Sequence, residues 1–159
     1  MIHIWYLIYC PGEDPISVAE GLRSRYPDRA GSILTFTCDR MRRYEGAWHL
    51  EEKPFLPDSF VVEEEEHTLL EELPPQRKGI PLNREGQTFL QEFCGSDHHI
   101  ALSKGRIRNG KTEVLSGPLR GREHLISRID RHKRLAQLSV PGMEPVGKLC
   151  VGLEIVEKN

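Results

Sequence analysis

Ten lysine and arginine side chains fall within 31 residues of the second half of the chain, where only three acidic residues offset them. Phosphate contacts supply most of the affinity of proteins for nucleic acids, and arginine adds bidentate bonding and base stacking. The alternatives are a solvated basic face or a protein-binding face. We predict a nucleic-acid-binding surface formed by Lys104, Arg106, Lys111, Arg120, Arg122, Arg128, Arg131, His132, Lys133 and Arg134.

No group of residues typical of covalent chemistry accompanies this charge. The sequence has no glycine-rich phosphate loop, paired carboxylate site or nucleophile motif, which predicts a protein that is not an enzyme and uses no cofactor. The seven histidines match no zinc spacing, so no metal site is predicted. The four cysteines are widely separated, which predicts buried free thiols.

The charge is divided unevenly along the chain. Up to His99 there are 10 Lys+Arg against 18 Asp+Glu, whereas the remaining residues hold 12 against 6. The halves should therefore have different partners, a polyanion or an acidic protein surface for the second half and a local apolar contact for the first. No apolar run reaches the ~18 residues of a membrane span. We expect a cytoplasmic monomer without membrane contact and without a signal peptide.

The first half is predicted to combine strands with helices, in an α+β arrangement. Residues 3–10 are rich in β-branched and aromatic types, which indicates a buried strand. Asp14 and Pro15 suit the N-cap and first position of a helix that ends at Pro27. Further expected elements are three strands between residues 32 and 64 with a turn at Glu45-Gly46, a second short helix within 63–73, and a third helix capped by Asn83.

The second half is predicted to be a small all-β barrel. Short strand-like runs recur at 112–115, 124–129, 135–140 and 149–156, separated by turns rich in glycine and proline. Asp130 is expected to fix one turn by bonding its own backbone. These runs lack a helical stripe, so we expect no refolding of this half into helices. The predicted domains are 1–95 and 104–159, joined by a polar linker at 96–103.

Several short segments, in order, carry a resemblance to a known family. They are W-Y-L-I-Y at 5–9, K-P-F-L-P-D-S-F-V-V at 53–62, P-L at 81–82, S-G-P-L-R-G-R-E at 116–123 and V-G-L-E-I-V at 151–156. Together they resemble the NusG-like transcription factors over nearly the whole chain. Residues 129–136, I-D-R-H-K-R-L-A, most resemble the LoaP antiterminators within that family.

The resemblance implies a fold and a function. The expected fold is an NGN domain, an antiparallel four-stranded sheet with flanking helices, linked to a KOW domain, which is a small SH3-like barrel. The expected function is transcription antitermination or elongation: the NGN domain binds RNA polymerase and the KOW domain binds a nascent RNA hairpin. The alternative is a housekeeping NusG-type factor whose KOW domain binds a ribosomal or termination protein, and upstream or non-template DNA is a further candidate partner.

The resemblance also implies which residues contact the polymerase. The clamp helices of its largest subunit are expected to contact Trp5, Tyr9, Leu56, Ser59 and Val61. His67 and Thr68 are expected to touch the opposite side of the polymerase cleft. The alternatives are that Trp5 and Tyr9 fill the core of the sheet, and that His67-Thr68 is an exposed helix start.

Overall fold

The computed structural model of the chain describes residues 3–64, 68–74, 77 and 79–159. It has a mixed α+β structure with more strand than helix, which confirms the predicted class. None of the described helices is long and apolar enough to cross a membrane. The elements of the first half are β1 (Ile4–Tyr9), α1 (Pro15–Arg25), β2 (Ile33–Leu34), β3 (Thr37–Tyr44), β4 (Ala47–Pro54), β5 (Ser59–Glu64), α2 (Thr68–Glu72), β6 (Gly79–Pro81) and α3 (Arg84–Cys94).

A four-stranded antiparallel sheet organises the first half, in the order β2-β5-β1-β6. Its central strand β1 is apolar at successive positions because both of its faces are buried. Tyr6 and Ile8 pack in a cluster with Ala19 of α1, while Trp5 and Leu7 belong to a second cluster on the other face. This explains why β1 shows a continuous apolar run instead of an alternating pattern.

The helices begin where the sequence predicted, with one exception. The Asp14 carboxylate accepts hydrogen bonds from Ile16 N at 3.2 Å and Ser17 Oγ at 2.8 Å, and Asn83 Oδ1 accepts from Gly86 N at 2.8 Å. The prediction that the second helix begins near Glu63 is wrong, because β5 continues to Glu64. The buried Glu64 carboxylate pairs with Arg29 and accepts from the backbone of α2.

The predicted turn at Glu45-Gly46 joins β3 and β4 into a long antiparallel hairpin. The apolar run before it does not form one strand, as predicted, but two. Residues Thr35 and Phe36 separate β2, which pairs with β5, from β3, which pairs with β4 and belongs to a different sheet. The buried Phe36 ring lies between the Trp5 ring at 5.8 Å and the His98 ring at 4.8 Å.

The elements of the second half are β7 (His99–Ile100), β8 (Ser103–Arg108), β9 (Lys111–Ser116), β10 (Ile126–Asp130), β11 (Leu135–Leu138) and β12 (Leu149–Lys158). Strands β8 to β12 form a five-stranded sheet in the order β10-β11-β12-β8-β9. Pairing is antiparallel except between β12 and β8. The strand β8 was not predicted, because its alternate basic residues hide the apolar pattern. The predicted strand at 124–129 begins later, because residues Glu123–Leu125 form a 3₁₀ turn.

The segment predicted as a linker is bonded to the first half. Its strand β7 pairs in parallel with the start of β3. The His99 ring lies between two side chains of β3, with Nδ1 2.7 Å from Thr37 Oγ1 and Nε2 2.8 Å from Asp39 Oδ1. A neutral imidazole satisfies both bonds, accepting from the Thr37 hydroxyl and donating to the Asp39 carboxylate. That carboxylate also accepts from Leu102 N at 3.0 Å.

The two halves meet where β3 approaches β12. Cys38 Sγ lies 3.9 Å from the Cys150 carbonyl oxygen, and a Cβ on Gly152 would lie 2.7 Å from the Asp39 carbonyl oxygen. A second contact joins α3 to the loop before β12, where a Cβ on Gly86 would lie 2.6 Å from the Gly142 carbonyl oxygen. One buried apolar cluster accordingly contains side chains from both halves, from Trp5 to Leu153.

We expect Gly152→Ala to lower the free energy of unfolding by about 1–3 kcal/mol, because the added methyl group overpacks the contact between β3 and β12. Urea denaturation followed by circular dichroism measures the change. Gly21→Ala is the matched control, since nothing lies within 4 Å of its Cβ position and alanine favours the helix. Equal stability of the two variants would contradict the close approach.

Candidate nucleic-acid interface

The turn between β10 and β11 displays the basic residues predicted to bind RNA. Asp130 Oδ1 accepts a hydrogen bond from Lys133 N at 3.1 Å, which confirms the expected role of Asp130 in fixing the turn. Arg134 completes it with a positive φ of 52°. The side chains of Arg131, His132 and Lys133 are exposed as a result.

Three of the predicted RNA-binding arginines are engaged within the protein. Arg106 pairs with Glu113 across β8 and β9, with Nε 3.0 Å from Oε2. Arg122 donates to the Pro118 carbonyl at 3.1 Å, and its guanidinium lies 5.7 Å from the centre of the Phe93 ring. The Arg134 guanidinium lies over the Trp48 ring. The remaining predicted residues Lys104, Lys111, Arg120, Arg128, Arg131, His132 and Lys133 are exposed.

The structure does not gather these exposed residues into one continuous strip. Lys104 and Lys111 lie on the β8–β9 pair, whereas Arg128 lies on β10 at the other end of the hydrogen-bonded order. Strands β11 and β12 stand between them. The closeness of these residues in the sequence therefore predicted a larger continuous surface than the fold provides, because adjacent runs of the chain lie at different edges of the sheet.

A basic cleft lies beside the β10–β11 turn and holds two residues that the sequence did not single out, Arg40 and Lys148. Its volume is about 360 Å³. Arg40 comes from the acidic first half, so the sequence did not show that it lies beside residues of the five-stranded sheet. The residues that line the basic cleft are Arg40, Arg128, Asp130, Lys133, Leu135, Gln137, Lys148 and Cys150.

The basic cleft carries four cations, Arg40, Arg128, Lys133 and Lys148, and one carboxylate, Asp130. Across the described residues, none of the four forms an ion pair with an acidic side chain. The one acidic side chain in the cleft, Asp130, accepts from the backbone of its own turn. Like charges held together in a concave site create a field that attracts anions.

A cation–π contact next to the basic cleft joins the two halves. The Arg134 guanidinium carbon lies 4.0 Å from the centre of the Trp48 ring, and Arg134 Nη1 lies 3.7 Å from Glu154 Oε1. Trp48 is on β4, so this contact fixes the β3–β4 hairpin against the β10–β11 turn. At the hairpin end, the Tyr44 and His49 rings stack with centres 3.7 Å apart.

Most of the predicted polymerase contacts are buried. Trp5 is 4% exposed, Leu56 and Val61 are 0% exposed, and Ser59 is 4% exposed. Trp5 Nε1 donates to Glu63 Oε2 at 2.8 Å and Ser59 Oγ donates to the Pro57 carbonyl at 2.7 Å. In this conformation these side chains offer no surface to a partner. Their role in polymerase binding stays a prediction.

Tyr9 differs from the other predicted contacts. It is the last residue of β1 and is 49% exposed, whereas Trp5 and Leu7, earlier in the same strand, are buried. His67 lies outside the described residues, and Thr68 begins α2 with a side chain that is not described. Among the predicted contacts whose side chains the structure describes, Tyr9 alone is exposed.

The cysteines are free, as predicted. Cys10, Cys38 and Cys94 are buried and Cys150 is partly exposed. Burial raises the pKa of the Cys10 thiol, raises that of Cys38 to about 11 and raises that of Cys94 to about 12. In the described part of the chain, no three side chains of the His, Cys, Asp and Glu types converge as a metal site would require.

No model of a known protein family matches the chain, and no curated protein matches it.

We expect a double-mutant cycle of Trp48→Ala and Arg134→Ala to give a coupling energy of about 0.5–2 kcal/mol, because their stacked pair is partly shielded from water. Urea unfolding of the wild type, the single variants and the double variant supplies the four free energies. A cycle of Trp48→Ala with Arg43→Ala is the control, since Arg43 lies 6.0 Å from the same ring. A coupling no larger than the control would show that the halves are not joined here.

We expect one thiol to react in the native protein with a disulfide reagent at about pH 8, because the thiolate is the reactive form and burial disfavours it. Cys150 should be modified, while Cys10, Cys38 and Cys94 should react only after urea is added. Peptide mapping by mass spectrometry identifies the modified residue. Rapid modification of all four thiols before unfolding would be incompatible with this burial.

Proposed function

We propose that this protein is a transcription antitermination factor of the NusG-like, LoaP-like kind, with an NGN domain that binds RNA polymerase and a KOW domain that binds a nascent RNA hairpin. The four-stranded antiparallel sheet and the helices of the first half support this proposal, since an NGN domain is expected to combine these elements. The second half supplies a five-stranded sheet with a short basic turn.

The observation that carries the proposal is the β10–β11 turn. Arg131, His132 and Lys133 project from it into solvent, and Arg128 is exposed on the strand before it. Among the described residues, none of these four forms an ion pair with an acidic side chain. Phosphate recognition uses such donors, and arginine suits the backbone and splayed bases of an RNA hairpin.

The polymerase part of the proposal rests on the resemblance of residues 5–9 and 53–62, together with the exposure of Tyr9. A large aromatic side chain at the end of a rigid central strand is suited to anchor a partner, since its burial contributes affinity at a small cost in side-chain entropy. A factor of this kind needs an interface and no catalytic group.

We expect immobilised wild-type protein to retain bacterial core RNA polymerase, and Tyr9→Ala to weaken the retention about tenfold, because truncating a central aromatic anchor commonly costs 1–2 kcal/mol or more. Val156→Ala is the control, since this 52% exposed side chain lies in the second half. Circular dichroism verifies that both variants are folded.

Failure of the wild type to retain polymerase would overturn the proposed function. Retention by all three proteins would keep polymerase binding and remove Tyr9 from the contact. Retention combined with binding of a ribosomal or termination protein, and no affinity for RNA, would favour the housekeeping alternative.

A further inference from the structure

We propose that the RNA site is the basic cleft, and that both halves of the chain build it, so that Arg40 of β3 contacts RNA phosphate together with Arg128, Lys133 and Lys148. This inference rests on the proposed RNA-binding function and specifies its site. It assigns an RNA contact to the acidic half, which was expected to bind only the polymerase.

The strand register places the barrel side of the cleft on one face of the sheet. Arg128 is paired with Gln137, which is paired with Cys150, and register partners present their side chains on the same face. Ala136, between Leu135 and Gln137, is fully buried on the opposite face. The cleft is thus the outer face of β10, β11 and the start of β12.

Strand β3 forms the remaining side of the basic cleft. Its Asp39 carbonyl meets β12 at Gly152, so the next residue, Arg40, is held where β3 passes the outer face of the sheet. The Arg134–Trp48 contact holds the same hairpin against the β10–β11 turn. Arg40 is therefore positioned by the packing of the two halves and does not depend on a mobile loop.

The charge of the basic cleft identifies a polyanion as its occupant. Four cations face one carboxylate, so the lining of the cleft keeps an excess of positive charge. A neighbouring depression shares Arg128 and Asp130 and adds Arg131 and His132, so the positive surface extends along the turn. Cations that lie close together without ion-pair partners gain most from an ordered row of phosphates.

The end of the β3–β4 hairpin, four residues along β3 from Arg40, favours RNA with unpaired bases over duplex DNA. Tyr44 is 40% exposed and stacks on His49, and the Arg42 guanidinium lies 5.6 Å from the Tyr44 ring centre. Splayed bases in RNA loops stack on such aromatic and guanidinium planes, whereas the bases of a duplex are stacked on each other. The phosphates of one RNA hairpin would lie in the basic cleft while a loop base stacks at Tyr44, further along the same strand.

The test measures fluorescence anisotropy of a labelled RNA hairpin with an unpaired loop, titrated with full-length protein at several salt concentrations. We expect Arg40→Gln to weaken binding about 3- to 10-fold and to reduce the salt slope by about one, as for loss of one phosphate contact. Arg128→Gln/Lys133→Gln should weaken binding further. Arg40→Lys, which retains the positive charge, should recover part of the lost affinity.

Arg25→Gln is the matched control, because it removes the same charge from the first half. Arg25 lies on α1, which packs against the face of the four-stranded sheet that carries Tyr6 and Ile8. Circular dichroism and thermal melting verify that every variant is folded. A second readout needs no substitution: RNA bound in the cleft should slow alkylation of Cys150, which lines it.

The outcomes separate this inference from the proposed function. Absence of salt-sensitive RNA binding by the wild type would overturn the RNA part of the proposed function. Wild-type binding that Arg128→Gln/Lys133→Gln weakens, while Arg40→Gln matches Arg25→Gln, would overturn the shared site and leave RNA binding in place. Equal affinity for a DNA duplex of the same length, or unchanged alkylation of Cys150 in the presence of RNA, would also overturn it.

Discussion

The backbone contact between Asp39 and Gly152 is the constraint on which the arrangement of the two halves depends. A Cβ at position 152 would stand 2.7 Å from the Asp39 carbonyl oxygen, so β3 reaches β12 only because this residue has no side chain. The approach brings Cys38 beside Cys150 and allows one apolar cluster to continue through both halves. It also places Arg40 beside the five-stranded sheet and so completes the basic cleft.

Local signals in the sequence predicted the local structure well. Asp14-Pro15 and Asn83 marked the starts of α1 and α3, because capping depends on neighbouring residues alone. The boundary between β5 and α2 was missed, because the run of glutamates suits a helix and the burial of Glu64 depends on Arg29, 35 positions earlier in the chain. The split of β2 from β3 was missed for the same kind of reason, since it depends on which sheet each strand joins.

The candidate site shows the same division between local and distant causes. The basic turn was visible because its residues and its fixing carboxylate, Asp130, are neighbours in sequence. The cleft was not visible, since Arg40 reaches Arg128 and Lys148 only through the packing of β3. Apolar types at Trp5, Leu56 and Val61 suited a core and an interface equally, and only the fold shows that these side chains are buried.

The bonds of His99 have a consequence for how the halves stay together. A flexible linker lets a domain leave its docking site easily, because the released domain explores a volume set by the linker length. Here the connection is bonded to β3, because the His99 ring bonds to Thr37 and Asp39 and Leu102 N donates to Asp39. Strand β8 begins at the residue after Leu102. The connecting segment therefore gives the second half almost no freedom to move away from the first. The effective concentration of the second half at its docking surface remains high until those bonds themselves are broken.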